Sequence, residues 1–173
     1  KTTNRITNNI GLNFANQFLE VSNPFKLEIF NAYTAKEAKE IFNDLLGKSY
    51  SFLQAIKMGG VGSKRMIIEE VSPGFTKYMN AVSDINYGNI EIREKGIIIH
   101  ITKGLKNFSW AIPFYQLHTY KTAGLSIHAC GNFVRFKNNK LLKENKKFID
   151  KIIEMKIENT SNYEFYSSTN STF

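Results

Sequence analysis

Three histidines and one cysteine are the residues in this chain best suited to proton transfer, metal ligation or nucleophilic attack. If Thr122-Ala123-Gly124 forms a three-residue turn, His118 falls directly opposite His128 and Gln116 opposite Cys130 on paired strands. Cross-strand neighbours stand close enough to share a metal, so His118, His128 and Cys130 could make a partial zinc site. His128 and Cys130, two apart, share a strand face, which also admits a thiol nucleophile beside an imidazole. No carboxylate near them in sequence orients either ring, and this favours the plainer reading of solvent-facing histidines. His100 follows the same pattern, pointing away from the apolar set of its strand.

A second candidate is the loop Gly59-Gly60-Val61-Gly62-Ser63-Lys64-Arg65. Glycines let backbone amides turn inward, and a Ser-Lys-Arg end can hold a phosphate. The spacing of a P-loop is absent, and the loop leads into a strand rather than into a helix whose N-terminus would face the anion. A third candidate is the basic stretch 135–156, with eight lysine and arginine residues against three carboxylates. Lys143, Lys147 and Lys151 lie on its polar helical face, where they read as a solvated surface or as a phosphate-facing patch. Exposed aromatic residues that would stack on bases are not clearly interleaved with them, which weakens single-stranded nucleic-acid binding.

The elements that must position these groups follow from periodicity. Over 88–138, period-two segments alternate with turn signals, and strands are expected near 89–94, 97–102, 107–113, 115–121, 125–130 and 133–138. A turn at Lys95-Gly96 would set Ile92 opposite Ile99 and Ile90 opposite Ile101. A type II′ turn at Gly131-Asn132 would set Ala129 opposite Val134 and Ile127 opposite Phe136. Trp110 shares a face with Phe108 and Ile112 and reads as core. Leu141, Leu142, Phe148, Ile149, Ile152 and Ile153 then form one helical stripe. Asn145 is the polar residue inside it, facing solvent or bonding a backbone group.

Upstream, Thr34 and Glu37 make a capping box before the stripe Ala38, Ile41, Phe42, Leu45 and Leu46, and Gly47 supplies a stop. This predicts a helix at about 35–46. Phe25–Phe30 reads as a strand and 1–23 as weakly helical in spacing; Ser51–Met58 is ambiguous. Lys64–Val71 reads as a strand, and Phe75, Tyr78, Met79 and Val82 as a short helix. The organisation expected is an N-terminal α+β extension over 1–83, a meander plus helix over 84–157, and a flexible polar tail over 158–173.

Composition bounds the class. The chain has 173 residues, 42% of them hydrophobic and 22% charged, with net charge +8. These values fit a globular domain and exclude wholesale disorder or a disulfide scaffold. The densest apolar run, Ile97–Ile101, is far shorter than the ~20 residues of a spanning helix, so no membrane span is expected. A single cysteine fits a reducing compartment, and 1–10 lack the apolar core of a signal peptide; a cytoplasmic location is the expectation. The positive charge suits phosphate-bearing partners, or simply keeps the protein soluble.

Six antiparallel strands followed by an amphipathic helix resemble the bacterial pleckstrin-homology-like (PH/GRAM-type) domains over residues 88–157. The residues that carry the likeness are Gly96-Ile97-Ile98-Ile99-His100, Phe108-Ser109-Trp110-Ala111-Ile112-Pro113-Phe114, Leu125-Ser126-Ile127-His128 and Phe133-Val134-Arg135-Phe136. The resemblance implies a curled antiparallel sheet or an open, PH-like barrel closed by the helix, with Lys64–Val71 as the candidate seventh strand. It also implies a scaffold for lipid head groups, peptides or partner subunits. With no catalytic signature and no cofactor motif, the expectation is a non-enzymatic binding or interaction module. A protein partner or self-association comes first, then anionic lipid or nucleic acid through the basic helix face, and last an enzyme or metal site at His118, His128 and Cys130.

Overall fold

The computed structural model describes residues 35–79, 85–103 and 106–169. The 1–34 segment, with its expected strand at Phe25–Phe30 and the Thr34 cap, lies outside the described residues, as does Val82.

Seven strands form one antiparallel sheet. They are β1 (Met66–Val71), β2 (Asn86–Arg93), β3 (Gly96–Lys103), β4 (Lys106–Pro113), β5 (His118–Tyr120), β6 (Gly124–Ala129) and β7 (Asn132–Lys137). Their order is β4-β3-β2-β1-β7-β6-β5. The Lys64–Val71 segment therefore sits at the centre of the sheet, pairing with β2 on one side and β7 on the other. A register shift between Ile68 and Glu70 lets one strand serve both halves. The sheet stays open between its edge strands β4 and β5, which the 3-10 turn Phe114–Gln116 connects in sequence. The architecture is α+β.

Among the described residues, four helices accompany it: α1 (Ala35–Leu46), α2 (Phe52–Lys57), α3 (Lys140–Glu144) and α4 (Lys146–Thr169). Helix α4 packs against the Phe114–Gln116 turn, at the gap between the edge strands. The main core lies between the inner face of the sheet and the closing helices. It joins Met66, Ile90, Ile92, Ile97, Ile99, Ile101, Trp110 and Phe136 to Leu142, Ile149 and Ile152. Burying side chains such as Ile149 and Ile152 contributes about 1.5–3 kcal/mol each. Helix α1 uses the opposite face of the sheet, where Phe42 and Leu46 cover Ile98 and Ala111. That second layer explains why Ile97, Ile98 and Ile99 are all buried, although strand alternation would expose one of them. Gly47 ends α1 with φ +78, as its sequence position predicts.

Two expected registers are corrected by two residues each, leaving every face unchanged. Ile92 pairs with Ile97 and Ile90 with Ile99, so the turn is Glu94-Lys95 and Gly96 belongs to β3. Gly96 is needed there for close approach, because a Cβ would lie 2.3 Å from the Ile112 carbonyl oxygen. Ala129 pairs with Asn132 and Ile127 with Val134, so the second turn is Cys130-Gly131. Both turn residues have positive φ, +48 and +75, which is the type I′ geometry rather than type II′. The third register holds: His118 pairs with His128 and Thr119 with Ile127.

The C-terminal stripe is split. Asn145 stands between α3 and α4, and α4 continues to Thr169, beyond the last residue of the apolar period. The segment after β1 forms a 3-10 turn, Pro73–Tyr78, with Phe75 buried against Trp110.

Candidate functional site

The glycine loop is tied into the fold. Gly59 (φ +69) and Gly60 (φ +94) form a left-handed cap on α2: the Gly60 amide donates to Ala55 O at 2.8 Å and the Gly59 amide to Ile56 O at 2.9 Å. Val61 and Ser63 extend the pairing with β2. The Ile92 amide donates to Val61 O, the Ser63 amide to Ile90 O, and Ser63 Oγ accepts from the Ile90 amide at 2.8 Å. The Lys64 amide donates to Asn145 Oδ1 at 2.8 Å. The amides of Gly59, Gly60, Ser63 and Lys64 thus have internal partners, which a phosphate would have to displace. Gly62, which bridges to Glu91, has open space around it. The Lys64 ammonium pairs with Glu144 at 3.3 Å, and the Arg65 guanidinium lies 4.8 Å above the Tyr87 ring.

The three lysines grouped on the helix face separate. Lys143 and Lys147 are exposed. Lys151 reaches back across the loop, and its Nζ donates to Gly60 O at 2.8 Å and also to Met58 O. It satisfies carbonyls at the C-terminus of α2, where a cation is also favoured electrostatically.

The histidine face is assembled as the register predicts, but its groups have other partners. His128 Nε2 and Ser126 Oγ are 2.6 Å apart, and the ring stacks on Phe133 with Tyr120 edge-on. The Cys130 thiol donates to Gln116 Oε1 at 3.3 Å, and burial pushes its pKa up, away from thiolate chemistry. Burial, then the charges of Arg135 and His118, hold His128 below its ordinary value. Among the described residues, no group of three His, Cys, Asp or Glu side chains is placed to hold a metal ion.

Two features escape the sequence reading. On the outer face of the sheet, His100 Nδ1 lies 2.9 Å from Ser109 Oγ and its Nε2 3.2 Å from Glu91 Oε2. Glu91 also pairs with the buried Arg93 at 2.6 Å. Burial pushes the Glu91 pKa up, but the His100 hydrogen bond and the Arg93 charge together hold it below the usual carboxylate range. A serine, a histidine and a carboxylate in series is the order of a hydrolytic triad. Ser109 lies within β4, however, whose amides run in the plane of the sheet and are not aimed at an oxyanion above its face. The series binds three strands together.

The second feature is α2. Ser51 and Gln54 form a reciprocal capping box, with the Ser51 amide donating to Gln54 Oε1 at 2.8 Å. The glycine cap and Lys151 close the other end. A helix of six residues does not persist by itself, so these caps hold it. None of its residues is buried: Phe52 is 79% exposed, Leu53 76% and Ile56 59%. Three large apolar side chains within five positions, exposed on a helix capped at both ends, form an apolar surface patch. Between Lys48 and Ile68 the sequence has four cations (Lys48, Lys57, Lys64 and Arg65) and no carboxylate. The Phe-Leu-x-x-Ile run beside this acid-free stretch is the signal that a periodicity search passes over, because the helix has no buried face to announce.

No family model matches the chain, and comparison with curated proteins and with solved structures also gives no match. Among the described residues, no helix is long and apolar enough to cross a membrane.

Proposed function

We propose that this chain is a PH-like, non-enzymatic binding module that docks through α2 onto an anionic bilayer surface. The PH-like reading is supported by a first strand shared between two halves of an antiparallel sheet and by a helix at the gap between the edge strands. The docking reading is carried by one observation: Phe52, Leu53 and Ile56 are exposed on a helix capped at both ends.

The magnitudes decide what kind of binding this is. Each apolar side chain contributes at most about 1.5–3 kcal/mol when fully buried, and less at a bilayer interface. Each nearby cation contributes about 1 kcal/mol against an anionic leaflet, screened by salt. Insertion and charge are therefore comparable, and binding falls with salt without vanishing. Contact through the basic helix face alone would vanish.

The test is sedimentation with phosphatidylcholine vesicles, with and without phosphatidylserine, across a salt series. The wild-type chain is expected to partition onto the anionic vesicles. The triple variant Phe52→Ser, Leu53→Ser, Ile56→Ser should bind about tenfold or more weakly with unchanged melting. Equal binding by the triple variant, or no binding by the wild type at low salt, would remove the reading. Salt-steep binding to duplex DNA in place of vesicles would transfer the basic surface to nucleic acid.

A further inference from the structure

Lys143 and Lys146 stand with Lys121 around a pocket of about 240 Å³ between the β5–β6 connection and the start of α4. Its apolar lining is Leu125, Leu142 and Ile149, each at most 9% exposed. One carboxylate organises the mouth: Asp150 Oδ1 is 2.6 Å from Lys121 Nζ, and its Oδ2 is 2.7 Å from Lys146 Nζ. Those two lysines come from different elements and are fixed by the same acid. Lys143 makes no ion pair with the described residues, so the mouth holds three cations against one carboxylate.

We infer that this pocket binds a small amphiphilic anion, with a carboxylate or phosphate head at Lys143 and its neighbours and a short apolar body against Leu125, Leu142 and Ile149. Both halves of the ligand are required by the lining. A purely polar anion would leave the apolar surface wet, and a neutral apolar molecule would strip water from strongly hydrated ammonium groups without replacing it. The volume lies below the ~300–1,000 Å³ usual for drug-sized ligands, which selects a single short chain or ring over a two-chain lipid. Lysine heads are point charges on flexible stems and can follow either head group. The site is independent of the membrane reading of α2.

The experiment titrates the whole chain with octanoate and with phenyl phosphate, and separately with inorganic phosphate and octanol, following backbone amide shifts by NMR. Both amphiphiles are expected to move Leu125, Leu142 and Ile149, and each single-feature probe to bind at least about tenfold more weakly. Whichever amphiphile binds more tightly identifies the head group. Lys143→Glu should lose at least tenfold in affinity while Lys143→Arg retains binding, both with unchanged melting, since the side chain is exposed. Equal binding of inorganic phosphate and phenyl phosphate would reduce the site to surface lysines and overturn the inference. So would an unaffected Lys143→Glu, or the absence of shifts at these three residues.

Discussion

Asn145 Oδ1 accepts a hydrogen bond from the Lys64 amide at 2.8 Å, although 81 residues separate them. The same side chain donates through Nδ2 to Leu141 O at 2.8 Å, while the backbone carbonyl of Asn145 accepts from the Ile149 amide. One buried residue thus closes the end of α3 and pins the strand entry at Lys64 through its side chain, and starts α4 through its backbone. A buried polar residue inside an apolar stripe is tolerated because both ends of the side chain have partners.

Asn145→Leu should therefore destabilise despite adding apolar surface. It strands the Lys64 amide and the Leu141 carbonyl, at about 1–3 kcal/mol. For a chain of this length each kcal/mol lowers the melting temperature by about 2–4 °C. Urea unfolding checks the value, and a neutral or stabilising Leu would show that water replaces the amide.

Glycine substitutions separate two roles. Gly→Ala inside a strand ordinarily stabilises by about 0.5–1 kcal/mol. At Gly96 the sign should reverse, because the new methyl would meet Ile112 O at 2.3 Å and Pro113 Cα at 2.8 Å, both backbone. Overpacking of this kind costs about 1–3 kcal/mol. Gly62→Ala, with nothing within 4 Å, should be neutral or slightly stabilising. Paired thermal melts of the two variants decide it.

The sheet was largely legible because one buried face imposes strict alternation. A two-residue register error leaves every side chain on its correct face, so the pattern that fixes the faces cannot fix the turns. Gly96 and Gly131 illustrate this: both look like turn residues in sequence, but Gly96 is spent on close approach and Gly131 shares its turn with Cys130 at φ +48. The candidate site was less legible. Lys151 cannot be told from Lys147 by periodicity, since what distinguishes it is a carbonyl 91 residues away. The Glu91–His100–Ser109 series needs three strands in register before it exists, and α2 carries no amphipathic signal because none of its residues is buried.

Acidification should weaken the fold in two steps. His128 is held below its ordinary 6.5, so the unfolded chain takes up that proton first. Its contribution is complete above about pH 6.5 and is lost as pH falls through the folded value; it is small because solvent screens a partly exposed ring. Glu91 is held below 4.5, so its contribution is complete above that value and is lost as pH falls through the lower folded one. Asp150, held low by Lys121 and then Lys146, adds a solvent-screened loss in the same acid range. Melting temperature against pH should lose its upper step in His128→Gln and have its lower step reduced in Glu91→Gln. An unchanged profile in both variants would refute the assignment.

The three helix lysines give the last prediction, because their sequence contexts are alike and their surroundings are not. Lys143 and Lys147 are exposed, and replacing either by Met should change stability by no more than about 0.5 kcal/mol. Lys151 is half-buried, with its ammonium shared by Met58 O and Gly60 O and lying 5.8 Å from the centre of the Phe148 ring. Lys151→Met keeps most of the stem packing and removes the charge-assisted bonds, at a cost of about 1.5–3 kcal/mol reduced by whatever water reaches the freed carbonyls. The loss should be local before it is global. Amide exchange at Gly59 and Gly60, which close the end of α2, should accelerate more than exchange in β2 or β3. If Lys151→Met and Lys147→Met prove indistinguishable in both urea unfolding and Gly60 exchange, then the two glycines and the capping box hold α2 without the closing helix.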